Sequence, residues 1–226
     1  TIVLSTILLV VYILTQTPQN NREWQPFQDG MTDAVVTDEE VRLLQVRDWR
    51  HTTADTIERN YLESVTISQD DIKDVWFTIQ PFAALDAIGH TMLTFSLKNG
   101  EAYTFSIEAR REIDEKYSSF KGLFRQYELF YSWGTARDFL GVRLFLLGDD
   151  LYHYPLQLER REAWQLFRYI AEATARVHDE PRFYNTLTAN CTNLIAKAIN
   201  EHSALTELPY GVAWNLPGLS DQYLAR

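Results

Sequence analysis

The only cysteine of this sequence stands where a helix is expected to begin. Cys191 and the apolar residues after it recur at intervals of three and four, which is typical of one face of an amphipathic helix. Asn190 is a good helix N-cap residue, so Cys191 would take the first helical position. The positive end of a helix favours a thiolate, which is the nucleophile of cysteine enzymes. The alternative is that Cys191 is a small buried hydrophobic residue.

A nucleophilic thiol also needs an imidazole within hydrogen-bonding distance, and His90 is the candidate. It lies on a strand that an Asn-Gly pair at 99–100, a strong hairpin signal, joins to a second strand. Matching the apolar faces of the two strands places Glu108 opposite Met92 and diagonal to His90. A carboxylate that orients an imidazole completes a catalytic triad. The alternative is that His90 is a half-exposed strand residue.

The composition argues against several classes of partner. The formal net charge of −10 makes nucleic acid an unlikely partner, because affinity for nucleic acid comes mostly from clustered basic residues. The five histidines are scattered without the spacing of a metal site, so we expect no metal and no other cofactor. A single cysteine forms no intrachain disulfide, which leaves the redox compartment open.

The distribution of strand and helix patterns predicts an α+β fold. Short segments rich in β-branched and aromatic residues predict strands within residues 41–80 and a hairpin within 90–108. A further strand pair is expected within 138–158. Helical periodicity predicts one helix over Glu159–Val177 and a second helix that starts at Cys191.

The amino-terminal run Thr1–Leu14 is uncharged and rich in Ile, Leu and Val. It is shorter than the roughly 20 apolar residues of a membrane span, and it lacks the basic residues and cleavage site of a signal peptide. We expect the end of an uncleaved membrane anchor at residues 1–17, a linker at 18–35 and one domain at 36–226. A core element and a signal-peptide remnant are the alternatives for the apolar run.

Four stretches together resemble one bacterial family. They are VRDWRH (46–51), AIGHTMLTFSLKNG (87–100), SIEARREIDEKYSSFKGLFRQYELFYSWGTARDFLGVR (106–143) and FYNTLTANCTNLI (183–195). They are similar to the amino-terminal periplasmic domain of the lipoprotein N-acyltransferase family. The specific feature is the combination of a histidine-bearing strand, a Ser-Ile-Glu-x-Arg segment and an Asn-Cys-Thr helix start.

The resemblance implies a circularly permuted papain-like fold, in which an antiparallel sheet meets a helix that carries the cysteine at its start. It implies that Cys191 is the nucleophile, His90 the general base and Glu108 the orienting group. In the named enzymes, the thiol takes an acyl chain from the diacylglyceryl group of a lipoprotein and delivers it to the amino-terminal amine. The implied location is the periplasm, with one N-terminal anchor in the bacterial inner membrane.

Three functions stay open at this point. The first is a membrane-anchored acyltransferase or acyl hydrolase acting on a lipid or lipoprotein. In it, amides near Asn190 would stabilise the oxyanion and Arg110 would contact a phosphate head group. The second is a cysteine peptidase or amidase that uses the same residues. The third is a non-catalytic accessory subunit of a membrane protein complex. For the head-group contact in the first function, the alternative is that Arg110 and the neighbouring Arg111 are solvated surface residues.

Overall fold

Eight strands form the main sheet of this protein, shown in a computed structural model that describes residues 2–82 and 85–202. The ten strands of the described residues are β1 (Asp33–Val36), β2 (Glu40–Arg47), β3 (Arg50–His51), β4 (Thr56–Glu58), β5 (Tyr61–Ser68), β6 (Ile72–Phe82), β7 (Leu85–Leu97), β8 (Ala102–Arg110), β9 (Glu128–Thr135) and β10 (Tyr152–Leu156). The main sheet has the order β1-β2-β9-β8-β7-β6-β10, with β5 paired to β2 outside this path. β3 and β4 form a separate two-stranded sheet.

The helices of the described residues are α1 (Ile2–Thr15), α2 (Ala136–Gly141), α3 (Arg160–Asp179) and α4 (Cys191–His202). A short 3-10 helix covers Lys121–Leu123, and a π-helical turn at Val142–Leu147 continues α2. The mixed α+β class is therefore confirmed. α3 begins where Glu159 and Glu162 form a capping box, in agreement with the helix predicted from Glu159.

The core lies between the sheet and the helical face that the sequence periodicity predicts. Phe167 of α3 packs against Phe95 and Trp133, with ring centroids 5.0 and 5.4 Å apart. Trp133 Nε1 also donates a hydrogen bond to Thr174 Oγ1 at 3.0 Å, so the buried indole has a polar partner. These contacts fix α3 on the sheet because residues three and four apart share one face of a helix.

The expectation of a strand pair within 138–158 is wrong in its first half. That half is helical: α2 and the π-helical turn occupy Ala136–Leu147, and only Tyr152–Leu156 is a strand. Thr135 starts the helix because its side chain accepts a hydrogen bond from the Asp138 amide at 3.3 Å. A short continuous apolar run fits a buried helix as well as a strand, so its pattern alone did not distinguish them.

The central hairpin confirms the matched apolar faces but corrects the register. Leu93 pairs with Phe105, and Met92 pairs with Ser106 rather than with Glu108. The loop consists of residues 98–100, with Gly100 at a φ of 91°, a left-handed conformation that glycine adopts without steric cost. Such three-residue loops with a left-handed glycine are a common hairpin connection. The strands are therefore offset by two residues from the predicted pairing.

The amino-terminal segment is helical and then packs onto the domain. α1 has 14 residues, and none of the helices within residues 2–82 and 85–202 has both the length and the apolar character needed to cross a membrane. Part of the segment expected to be a linker is buried: Trp24 and Gln28 are 7% and 1% exposed. The Gln28 side chain donates to the backbone oxygen of Ala109 at 3.0 Å. This segment therefore belongs to the folded body of the protein.

Gly134 lies where β9 meets β2 and has no room for a side chain. An added Cβ atom would collide with the buried ring of Phe139 and would lie 3.0 Å from the Arg47 carbonyl oxygen. We expect Gly134→Ala to lower the free energy of unfolding by about 1–3 kcal/mol, measured by chemical denaturation. Gly141→Ala is the matched control, because its Cβ would meet Phe145 at 3.7 Å, an ordinary contact distance. An equal loss in both variants would contradict the steric argument.

Candidate active site

The helix that carries the thiol begins as predicted. Asn190 Oδ1 accepts a hydrogen bond from the Asn193 amide at 2.9 Å, and Asn193 Oδ1 accepts one from the Asn190 amide at 2.9 Å. This reciprocal cap satisfies backbone donors at the helix start. Cys191 is therefore the first residue of α4, at the positive end of the helix dipole.

These hydrogen bonds also define the role of Asn190. Its backbone amide is bound by Asn193, and its side-chain nitrogen donates to the Thr186 carbonyl oxygen at 2.7 Å. The residue is 6% exposed. Asn190 thus shapes the end of α4 from inside the protein. That helix amides near Asn190 stabilise an oxyanion stays a prediction.

His90 and the Cys191 thiol come together although they are far apart in the sequence. Burial raises the pKa of the thiol, but the positive charge of His90 and its hydrogen bond to the sulfur outweigh burial. Hydrogen bonds from Thr91 act in the same direction, and the pKa falls from its ordinary 9.0 to about 7. A substantial fraction of Cys191 is therefore thiolate at neutral pH.

Ser106 lies between His90 and Glu108. Its Oγ atom is 2.8 Å from His90 Nε2 and donates a hydrogen bond to Glu108 Oε1 at 2.9 Å. The direct distance from His90 Nε2 to Glu108 Oε1 is 3.9 Å, which is close enough for an ion pair but too long for a hydrogen bond. The predicted carboxylate is thus near the imidazole, but a serine connects the two. The corrected hairpin register explains this, because it places Ser106 opposite Met92.

Glu108 is held in its ionised form by cations and amide donors. Burial raises the pKa of this carboxyl, but the charges of His90 and Arg143 outweigh it and lower the pKa to about 2. The Arg143 Nη2 atom lies 3.3 Å from Glu108 Oε1, and Gln28 Nε2 donates to Oε2 at 3.1 Å. Both oxygens of the carboxylate are therefore occupied at neutral pH.

Arg143 comes from the π-helical turn and was not among the predicted site residues. It is 8% exposed, its Nε donates to Gln80 Oε1 at 2.8 Å, and its Nη1 donates to the Phe139 carbonyl oxygen at 2.8 Å. No local pattern marks such a residue, because its relevance depends on α2 lying across the sheet. Ser106 did carry a signal: residues two apart on a strand share a face, so Ser106 lies beside Glu108.

A cavity of about 420 Å³ opens beside these groups, and Cys191, His90 and Glu108 all line it. This volume is within the usual range of small-molecule sites. Apolar side chains supply much of the remaining wall; they are Phe27, Phe82, Ile107, Ala109, Val142 and Leu147. Within the described part of the chain, no three His, Cys, Asp or Glu side chains are grouped as metal ligands.

The two neighbouring arginines after Glu108 have different positions. Arg110 is 2% exposed, and its guanidinium donates to the carbonyl oxygens of Gln28 and Asp29 at 2.9 and 3.1 Å. It is therefore a structural residue, which corrects both its proposed head-group contact and the alternative of a solvated surface. Arg111 lines the cavity instead, and no ion pair of its side chain is found within residues 2–82 and 85–202.

A second polar cluster lies behind the cavity and was not predicted. Asp138 is fully buried and accepts hydrogen bonds from Arg47 Nε and Nη2 at 2.7 and 2.8 Å. It also accepts one from the Trp49 amide at 2.9 Å, and His51 Nε2 lies 2.8 Å from it. Three of these residues come from the VRDWRH stretch. This cluster holds β2, β3 and α2 together beside the cavity, and Arg47 is one of the residues that line the cavity.

These features define a mixed α+β domain with a cysteine, a histidine and a carboxylate around one cavity. The family model of the Lnb N-terminal periplasmic domain matches residues 60–215. The chain belongs to this family, as the four sequence stretches predicted, and the membership supports a periplasmic location. No significant match was found among curated proteins or among solved structures.

Proposed function

We propose that this protein is a thiol-dependent acyltransferase or acyl hydrolase acting on a membrane lipid or a lipoprotein. The observation that carries the proposal is the hydrogen-bonded pair of His90 and Cys191 at the wall of a largely apolar cavity. The proposal includes the permuted papain-like arrangement, in which the histidine strand precedes the cysteine helix. It also includes an anchor of the domain in the bacterial inner membrane through the apolar segment of α1.

In the first step, Cys191 Sγ attacks the carbonyl carbon of a substrate ester. A carbon–sulfur bond forms and the carbon–oxygen bond breaks, while His90 passes the proton taken from the thiol to the leaving alkoxide. The amides of the first turn of α4 face the negative charge that develops on the carbonyl oxygen. The pKa of the Tyr184 hydroxyl is raised by burial and by the negative charge of Cys191, so this phenol stays neutral during the reaction.

In the second step, an amine or water attacks the thioester. His90 accepts the proton of the acceptor, a carbon–nitrogen or carbon–oxygen bond forms, and the carbon–sulfur bond breaks to release Cys191. An amine acceptor makes the protein an acyltransferase, and water makes it a hydrolase. The steps require no redox partner, because the acyl carbon keeps its oxidation state throughout.

The walls of the cavity favour an acyl chain over a polar peptide. Phe82, Val142 and Leu147 add apolar surface to the cavity that Cys191 also lines, and Phe82 and Leu147 are 40% and 60% exposed. An acyl chain removes such surface from water, at a gain of about 25 cal/mol per Å². Arg111 adds one positive charge to the wall, which suits an anionic group on the donor.

Intact-mass measurement tests the proposal. We expect the purified protein to gain the mass of an acyl chain on Cys191 when it is incubated with phospholipid vesicles or with a diacylglyceryl lipopeptide. An unmodified peptide of the same sequence should give no adduct and no cleavage. Cleavage of that peptide would replace the proposal with a peptidase. If no adduct forms and Cys191→Ala fully complements cells that lack the protein, the protein is instead an accessory subunit.

A further inference from the structure

We propose that Ser106 is a positioning residue that fixes which ring nitrogen of His90 carries the proton. This inference rests on the proposed function and deepens it, because it names the group that prepares the base for the thiol. Ser106 is fully buried on β8, so its hydroxyl has no bulk water as an alternative partner. Its neighbours at hydrogen-bonding distance are the imidazole and the carboxylate.

The ionised carboxylate determines the direction of the Ser106 hydrogen bonds. Glu108 is an acceptor only, and its Oε1 lies 2.9 Å from Ser106 Oγ. Two acceptors at that distance without a proton between them would repel, so the one proton of the hydroxyl points to Glu108. Ser106 Oγ then has only lone pairs left for His90 Nε2 at 2.8 Å. Nε2 must therefore be the donor.

This arrangement leaves the other ring nitrogen as the base. A neutral imidazole has one donor and one acceptor nitrogen, so Nδ1 is unprotonated when Nε2 carries the proton. Because Nε2 is engaged by Ser106, we infer that the hydrogen bond between His90 and Cys191 is made through Nδ1. When Nδ1 takes the proton of the thiol, Nε2 remains a donor to Ser106. The same hydrogen bonds therefore serve both states of the imidazole, and no side chain has to rotate.

Several ionisable groups bear on this proton transfer, and they come from four elements and from the segment that precedes α4. They are Glu108 on β8, Arg143 in the π-helical turn and Arg47 on β2, which act on the carboxylate, and Cys191 on α4 with Tyr184 before it. Among the hydrogen bonds of the described residues, only those of the Ser106 side chain join His90 to Glu108. The hydroxyl donates to the carboxylate and accepts from the imidazolium. This arrangement stabilises the imidazolium and thereby favours the thiolate.

The pH dependence of Cys191 alkylation tests this role. In the wild type, the alkylation rate should rise with the thiolate fraction, with a midpoint near the thiol pKa of about 7. We expect Ser106→Ala to move this midpoint upward by about one pH unit and to lower kcat/KM about 10- to 100-fold, because a charge-assisted hydrogen bond is lost. Ser106→Thr keeps the hydroxyl and should restore the midpoint.

Ser132→Ala is the matched control. Ser132 is a buried serine on β9, directly opposite Ser106 in the sheet, and its loss should leave the midpoint unchanged. The tautomer is measured independently of any Ser106 variant, from the ring ¹⁵N shifts of His90 in Cys191→Ala at alkaline pH. Protonation at Nδ1 in that experiment would overturn the proposal, as would a wild-type midpoint in a folded Ser106→Ala protein. Failure of the acyl reaction itself would show separately, as a missing adduct on wild-type Cys191.

Discussion

Replacing Cys191 by alanine is expected to abolish acyl release, with a loss of at least about 10³-fold in kcat, because it removes the thiol that forms the covalent intermediate. Cys191 is the only cysteine of the sequence, so the variant has no cysteine nucleophile. The measurement is release of labelled fatty acid, or its transfer to an amine, from the substrate that acylates the wild type. Retained turnover would return Cys191 to the role of a packing residue.

The fold of this variant should survive. Cys191 is 9% exposed and small, so its truncation leaves a minor cavity and should lower the free energy of unfolding by about 1 kcal/mol. Circular dichroism and thermal denaturation check this point. His90→Ala is the companion variant: it keeps the thiol but removes the cation that lowers the thiol pKa. We expect it to slow alkylation of Cys191 at neutral pH, and equal labelling in both proteins would contradict the pair.

Asp138→Asn should cause the largest loss of stability, about 3–5 kcal/mol in the free energy of unfolding. The carboxylate is fully buried and holds Arg47 through two short hydrogen bonds. An asparagine of the same shape would leave the buried guanidinium without a counter-charge. It would also weaken the contact with His51 Nε2. Chemical denaturation gives the change in the free energy of unfolding directly.

Glu58→Gln is the matched control for this prediction. It removes one carboxylate charge from an ion pair with Arg50, whose atoms lie 3.3 Å apart, and both side chains are more than half exposed. Water screens such pairs, so the expected loss is below about 1 kcal/mol. Similar losses in the two variants would mean that the Asp138 cluster does not hold β2, β3 and α2 together.

The sequence by itself was sufficient for the local features of the site. The Asn190 cap, the start of α4 at Cys191 and the two helices of the second half follow from patterns within a few residues. The family membership also followed from four short stretches. These features are predictable because helix caps and periodicity depend on neighbours along the chain.

The sequence was less reliable where the answer depended on distant contacts. It matched the correct faces of the hairpin but placed them two residues out of register, because the loop begins at residue 98 and not one residue later. That offset concealed Ser106 and made Glu108 the direct partner of His90. It also gave Arg110 an exposed role, although the amino-terminal segment covers this side chain.

Interactions between neighbours along the chain therefore determined which residues of this protein are suited to catalysis, and the tertiary structure decided how these residues contact one another. The thiol at a helix start and the imidazole on a strand could be recognised in the sequence alone. Their meeting point, the serine between the imidazole and the carboxylate, and the arginine from the π-helical turn depend on packing between segments far apart in the chain. Side-chain patterns encode which face of an element is buried, but not which distant residue will lie against it.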